Sequence, residues 1–155
     1  MNISEIAQAS RKASFELQSA VASDKAAALD AIHAQLIKDR DLILKANAQD
    51  LESARSQVDQ GLLSASLVKR LDLNLPGKWE SLLEGILQVK SLDDPTGKIQ
   101  MATQLDDGLD LYRVSCPIGV LLIIFEARPE VVVQISCLAI KSGGLMNRDL
   151  EEAHS

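Results

Sequence analysis

Six apolar residues, Val120, Leu121, Leu122, Ile123, Ile124 and Phe125, follow one another without a polar break. A strand with one wet face alternates apolar and polar positions, so a short unbroken run reads as a parallel strand covered by helices on both faces. Beyond the loop Glu126, Ala127, Arg128, Pro129, residues 130–141 carry Val131, Ile135, Leu138 and Ala139 at helical spacing and stop at Ser142, Gly143 and Gly144. Strand, tight loop and helix make the first half of a βαβ unit. The remaining residues, 145–155, read LMNRDLEEAHS. They are polar and lack a β-branched run, which predicts a frayed or helical tail in place of a second strand.

The first ninety residues have a different period. Asn2 is a candidate N-cap with Glu5 three positions on, ahead of an apolar stripe through Ile3, Ile6, Ala13 and Leu17. Ser23 is expected to cap a second helix bearing Leu29, Ile32, Leu36 and Ile43. Asn47 is expected to cap a third, with Leu51, Ala54 and Val58, that ends at Gly61. Pro76 suits a first helical position, and Trp79, Leu82, Leu83, Ile86 and Leu87 follow on adjacent turns as the best buried stripe of the set. Asp94, Pro95, Thr96 and Gly97 then form a turn cluster, after which Ile99, Met101 and Leu105 fall at even spacings. Asp107 and Gly108 are the commonest two-residue hairpin pair, so residues 98–105 and 109–116 are expected to form an antiparallel ribbon ended by Pro117.

The predicted fold class is therefore α/β. A helical lead-in spans 1–92, a β-ribbon 93–117, a strand-loop-helix unit 118–144 and a divergent tail 145–155. A strand built for parallel neighbours but left without them would expose its edges, which predicts poor solubility.

Charge and composition exclude several functions. The net charge is −6 and the chain has no run of lysines or arginines, so nothing favours a nucleic acid or an anionic membrane surface. Glu5, Arg11, Lys12 and Glu16 interrupt the first twenty residues, leaving no signal peptide or membrane span and pointing to the cytoplasm. Two cysteines without CxxC spacing and two histidines, His33 and His154, give neither a disulfide scaffold nor a metal site.

For chemistry, the loop at Glu126–Pro129 is the informative place, because ligands of parallel α/β sheets bind beyond the carboxyl ends of the strands, beside a helix N-terminus. Arg128 offers a permanently charged fork to a phosphate or carboxylate, and Pro129 pre-forms the first helical turn behind it. The plainer alternative is a surface ion pair of Arg128 with Glu126 or Glu130. Cys116 and Cys137 have no histidine nearby in sequence, and a buried free thiol is the default for both. His33 reads as a half-exposed helix residue. The stretch Lys141, Ser142, Gly143, Gly144 lacks the spacing of a phosphate-binding loop and reads as a helix C-cap, and no GxGxxG is present.

Three segments carry a resemblance: LVKRLDLN at 67–74, DDPTGKI at 93–99 and LDDGLDLYRVSCPIGVLLIIFEARPEVVVQISCLAIKSG at 105–143. They resemble the amino-terminal part of the gamma-glutamyl phosphate reductase family, within the aldehyde dehydrogenase superfamily. The PIGV turn and apolar strand are shared across that superfamily, whereas the FEARPEV loop is particular to the reductase branch. The resemblance implies an aldehyde dehydrogenase-like nucleotide-binding domain. It also implies NADP-dependent reduction of gamma-glutamyl phosphate to glutamate 5-semialdehyde, a step of proline biosynthesis in which a cysteine thiolate attacks the acyl phosphate. Ile124, Phe125, Glu126, Ala127 and Arg128 match the strand end and loop that lie beside the cofactor in that family.

The departures from the family are equally specific. In the family an SGN turn leads into a second sheet strand and a basic residue near the cofactor's ribose, but here Gly144 replaces the asparagine and LMNRDLEEAHS the strand. The catalytic-cysteine domain has no counterpart among the 155 residues. The resemblance thus implies a truncated, incomplete domain without a catalytic residue, inactive alone. The alternative is a non-catalytic module that self-associates or joins full-length reductase subunits. The start at Met1 points to a stand-alone reductase over the rear half of a fused synthase.

Overall fold

The computed structural model describes residues 2–147. Helix α1 (Ile3–Gln18) opens with the expected capping box: Asn2 Oδ1 accepts from the Glu5 amide at 2.9 Å, and Glu5 Oε2 accepts from the Asn2 amide at 3.0 Å. Helix α2 (Ala22–Lys38) starts one position before Ser23, which is therefore not its cap, because the amides of Asp24 and Lys25 already bond to the Val21 carbonyl. Helix α3 (Arg40–Asp59) follows after a single residue, Asp39.

Asn47 lies in the middle of α3 and not at its start. Only 4% of it is exposed, its Oδ1 accepts from the Leu73 amide at 2.9 Å, and its Nδ2 donates to the Leu71 carbonyl at 3.0 Å. A capping residue type has become a tertiary clamp on the turn after α4 (Ala65–Leu71), a short helix the apolar periodicity did not reveal. Helix α5 (Lys78–Ser91) is capped by Gly77 at φ +78°, with Pro76 one residue outside, so the proline shapes the approach and not the first turn.

Strands β1 (Ile99–Asp106) and β2 (Leu109–Val114) form the antiparallel ribbon around Asp107 and Gly108. Every residue of both is exposed. Strand β3 (Val120–Leu122) is shorter than the six-residue run, and helix α6 (Pro129–Ser142) leads to β4 (Leu145–Asn147), which pairs with β3 in parallel. The expected absence of a second strand is thus corrected: pairing with β3 extends a segment whose own propensity is poor. The other tail residues, 148–155, lie outside the described ones.

The core sits between helices. Leu29 of α2, Ile86 of α5 and Cys137 of α6 are at most 1% exposed and gather Ile32, Leu36, Leu83, Val133 and Ile140 around them. Leu73, Trp79 and Leu82 extend it toward α3. Leu87, expected on the buried stripe, faces out. Helix α6 buries Val133, Cys137 and Ile140 in this core, while Ile135, Leu138 and Ala139 of the expected stripe line a groove on the strand side. Two apolar faces are what a helix layered between a sheet and other helices requires.

Candidate functional site

Strand β3 delivers the chain into an irregular passage, residues 123–128, and Pro129 occupies the first turn of α6 as expected. Ala127 has φ +50°, the one non-glycine positive φ among the described residues. That left-handed position costs a residue with a Cβ on the order of 1 kcal/mol and turns the backbone sharply into the helix. Arg128 sits at the N-cap at φ −134° and ψ 78°, and its side chain does not cap the helix.

Ile124 is 77% exposed, Glu126 and Arg128 are exposed, and Phe125 and Ala127 are half-buried. The run expected to be covered on both faces is only partly covered: Val120, Ile123 and Phe125 are half-buried, and Leu121, Leu122 and Ile124 are exposed.

The surface ion pair weighed for Arg128 does not form. Glu130 is instead 3.4 Å from Lys78 Nζ, each with 19% of its side chain exposed, and Arg128 has no ion-pair partner among the described residues.

Two cavities neighbour the loop without including it. The larger, about 560 Å³, is an apolar groove between the ribbon root, β3 and α6, with Cys116 and Pro117 on one wall and Ile135 and Leu138 on the other. The smaller, about 410 Å³, lies where the start of α5 meets Glu130 and Gln134. None of the residues from Ile124 to Arg128 lines either one, so the described residues leave the loop on an open surface.

The two thiols differ. Cys137 is fully buried in the helical core, where desolvation pushes its pKa up and leaves an inert thiol. Cys116 is exposed, against the expectation of burial, because it ends a ribbon that nothing covers. His33 is half-buried on α2, as its position in the helix suggested. No group of three histidine, cysteine, aspartate or glutamate side chains that could hold a metal occurs among the described residues, and no helix there is long and apolar enough to cross a membrane.

No protein-family model matches the chain. Curated proteins do. The probable gamma-glutamyl phosphate reductase of Schizosaccharomyces pombe is 48% identical over 143 residues, 92% of this chain and 32% of its own length. The gamma-glutamyl phosphate reductase of Acetivibrio thermocellus is 44% identical over the same shares. Among solved structures, gamma-glutamyl phosphate reductase from Saccharomyces cerevisiae superposes with a TM-score of 0.87 at 43% identity, covering 95% of this chain and 37% of that one. The Thermotoga maritima enzyme does so with a TM-score of 0.83 at 36% identity, over 92% and 33%. The chain spans about a third of the length of the curated relatives it matches.

Over that third, the chain is similar in sequence and in fold to gamma-glutamyl phosphate reductases. The mixed α/β architecture expected from the resemblance is the one these structural relatives share.

One cluster escaped the sequence reading. Lys25, Asp94 and Thr96 meet at the ribbon root. In sequence Asp94 and Thr96 signal only a turn. The available signal was Lys25 itself, four residues before Leu29 and so on the buried face of α2.

Proposed function

We propose that this chain supplies the nucleotide-side loop of a reductase that converts gamma-glutamyl phosphate to glutamate 5-semialdehyde with NADPH in the cytoplasm, as a step of proline biosynthesis. The observation that carries the reading is the match to named reductases in sequence and in fold together, with the Ile124–Arg128 segment at the carboxyl end of a parallel strand.

When bound, NADPH would supply a hydride to the acyl carbon. The chain's own residues would hold and orient. Arg128 presents a fixed positive charge that no carboxylate among the described residues neutralises, which suits a phosphate of the cofactor or of the substrate. The left-handed turn at Ala127 and the proline at the first position of α6 fix the direction in which that charge enters. Phe125, half-buried, anchors the strand end. The fit is partial: the loop lines neither of the two cavities beside it, so a dinucleotide would rest against this surface without those cavities enclosing it.

The 155-residue chain is proposed to be inactive by itself: Cys137 is sealed in the core and Cys116 lies in the groove at the ribbon root, away from the loop. The purified chain should neither oxidise NADPH with an acyl phosphate nor run the phosphate-dependent oxidation of the semialdehyde. Turnover that disappears in Cys137→Ser or Cys116→Ser would overturn this.

A second reading, a non-catalytic module that self-associates or joins full-length reductase subunits, is favoured by the ribbon, whose fourteen residues, eight in β1 and six in β2, are all exposed. An isolated two-stranded ribbon is marginal in water, so a partner would stabilise it. Co-purification with a full-length reductase supports this reading. A monodisperse monomer indifferent to that partner counts against it.

A further inference from the structure

Because β1 and β2 have no packed face, the ribbon's direction must be set at its root. There Asp94 Oδ1 accepts from the Thr96 amide at 2.9 Å and from its hydroxyl at 2.6 Å, and Asp94 Oδ2 accepts from Lys25 Nζ at 2.8 Å. Lys25 Nζ also donates to Thr96 Oγ1 at 3.3 Å. The same turn is tied to the other arm, since the Gly97 amide donates to the Ser115 carbonyl at 2.9 Å and the Ser115 amide to the Lys98 carbonyl at 3.0 Å.

Gly143 closes the remaining side. A Cβ there would come within 3.2 Å of Pro117 Cγ, 3.4 Å of Thr96 Cγ2 and 3.7 Å of Lys25 Nζ, so the exit of α6 packs directly on the root. Helix α2, the ribbon root and the turn into β4 meet around one ammonium group, and Pro117, leading to β3, packs against the same turn.

The burial of the pair is lopsided. The Lys25 side chain is 2% exposed and that of Asp94 22%. Other ion pairs lack this position: Lys90 with Asp30 and Lys98 with Asp93 have side chains at least 36% exposed and are screened by water.

The geometry points to a latch: the Lys25–Asp94 ion pair holds the ribbon root against α2 and the Gly143 turn, and its loss releases the root while the α2, α5 and α6 core stays folded. The latch stands apart from the reductase reading, because it concerns only how two parts of this chain are held together.

The two partners do not contribute equally. Removing the carboxylate strands a charge that water cannot reach, whereas removing the ammonium leaves Asp94 at the rim, still bonded to Thr96 and open to solvent.

Amide hydrogen exchange on the full 155-residue chain tests this at Gly97 and Ser115 against the amides of α5 and α6. In Asp94→Asn the two root amides are expected to exchange about 100-fold faster than in the parent, in line with the cost of an uncompensated buried charge. In Lys25→Met the increase should be about tenfold, since the carboxylate left behind can be hydrated. The helices should keep parent rates in both. Lys90→Met, which breaks an exposed pair, should leave the root amides unchanged.

Root amides that do not respond, or that accelerate together with α5 and α6, overturn the latch, as does an equal response to Lys90→Met. Should Asp94→Asn fail to fold, the Lys25→Met/Asp94→Leu double variant keeps the question open to a result. With no charge stranded it is expected to recover the helix protection the single variant lost, and a double variant as unfolded as the single one contradicts the latch.

Discussion

The helical layer and the strand layer of this chain solve the same problem to different extents. Leu29, Ile86 and Cys137, from three helices, are at most 1% exposed, whereas Ile118 and Ile124, flanking β3, are 81% and 77% exposed. The strand run is the more continuously apolar of the two in sequence. The difference lies in what each can reach: α2, α5 and α6 close on one another, while among the described residues β3 pairs with one strand, β4, and meets helix α1 along only part of its length. Burial follows available partners, and hydrophobic composition alone does not tell which apolar run will find them.

Substitutions should separate the two regions most sharply in the core. Ile86→Ala empties a fully enclosed site and is expected to cost about 2–5 kcal/mol in urea unfolding. Asn47→Ala comes next. It leaves the buried Leu73 amide without an acceptor and should cost about 1–3 kcal/mol.

A pH titration bears on the junction between the regions. Burial alone would push the Asp94 carboxyl up, but the hydrogen bonds from Lys25 and Thr96 outweigh it and hold it well below its ordinary value of 3.8. A group depressed in the folded state adds stability that is complete above its unfolded value and is lost as pH falls through the folded one. The urea midpoint should therefore drop as pH falls below 3.8, and Asp94→Asn should flatten that limb.

The smallest effect belongs to the strand. Ile124→Ala should move stability by less than about 0.5 kcal/mol, and Ile124→Asp should raise the soluble fraction on expression without moving the urea midpoint. A loss at Ile124 comparable with that at Ile86 would erase the distinction.

Features written in local chemistry were legible in the sequence. The Asn2 and Glu5 capping box, the Asp107 and Gly108 turn, Pro129 opening α6 and Gly143 at φ +67° closing it each depend on residues within a few positions of one another. The misread ones depend on distant partners. Asn47 looks like a cap until Leu73, 26 residues on, is placed beside it, and Lys25 looks like a surface lysine until Asp94 arrives from 69 residues away. Strand β4 was hidden for a related reason, since the segment LMN becomes a strand only because β3 lies alongside.

For the candidate site, the strand-loop-helix order was visible from residue types, but whether Arg128 pairs with a neighbouring glutamate was not, because that depends on Lys78 reaching Glu130 from 52 residues away. The left-handed turn at Ala127 was not, because alanine carries no local signal for it. The open flank of β3 was visible only as an excess of apolar residues over available neighbours.

The most direct measurement is native-state hydrogen exchange resolved along the whole backbone. Amides of α2, α5 and α6 should open only with global unfolding, and amides of β1, β2 and β3 should exchange orders of magnitude faster through local opening. Uniform protection across helices and strands, or strands that outlast the helices, would contradict that order.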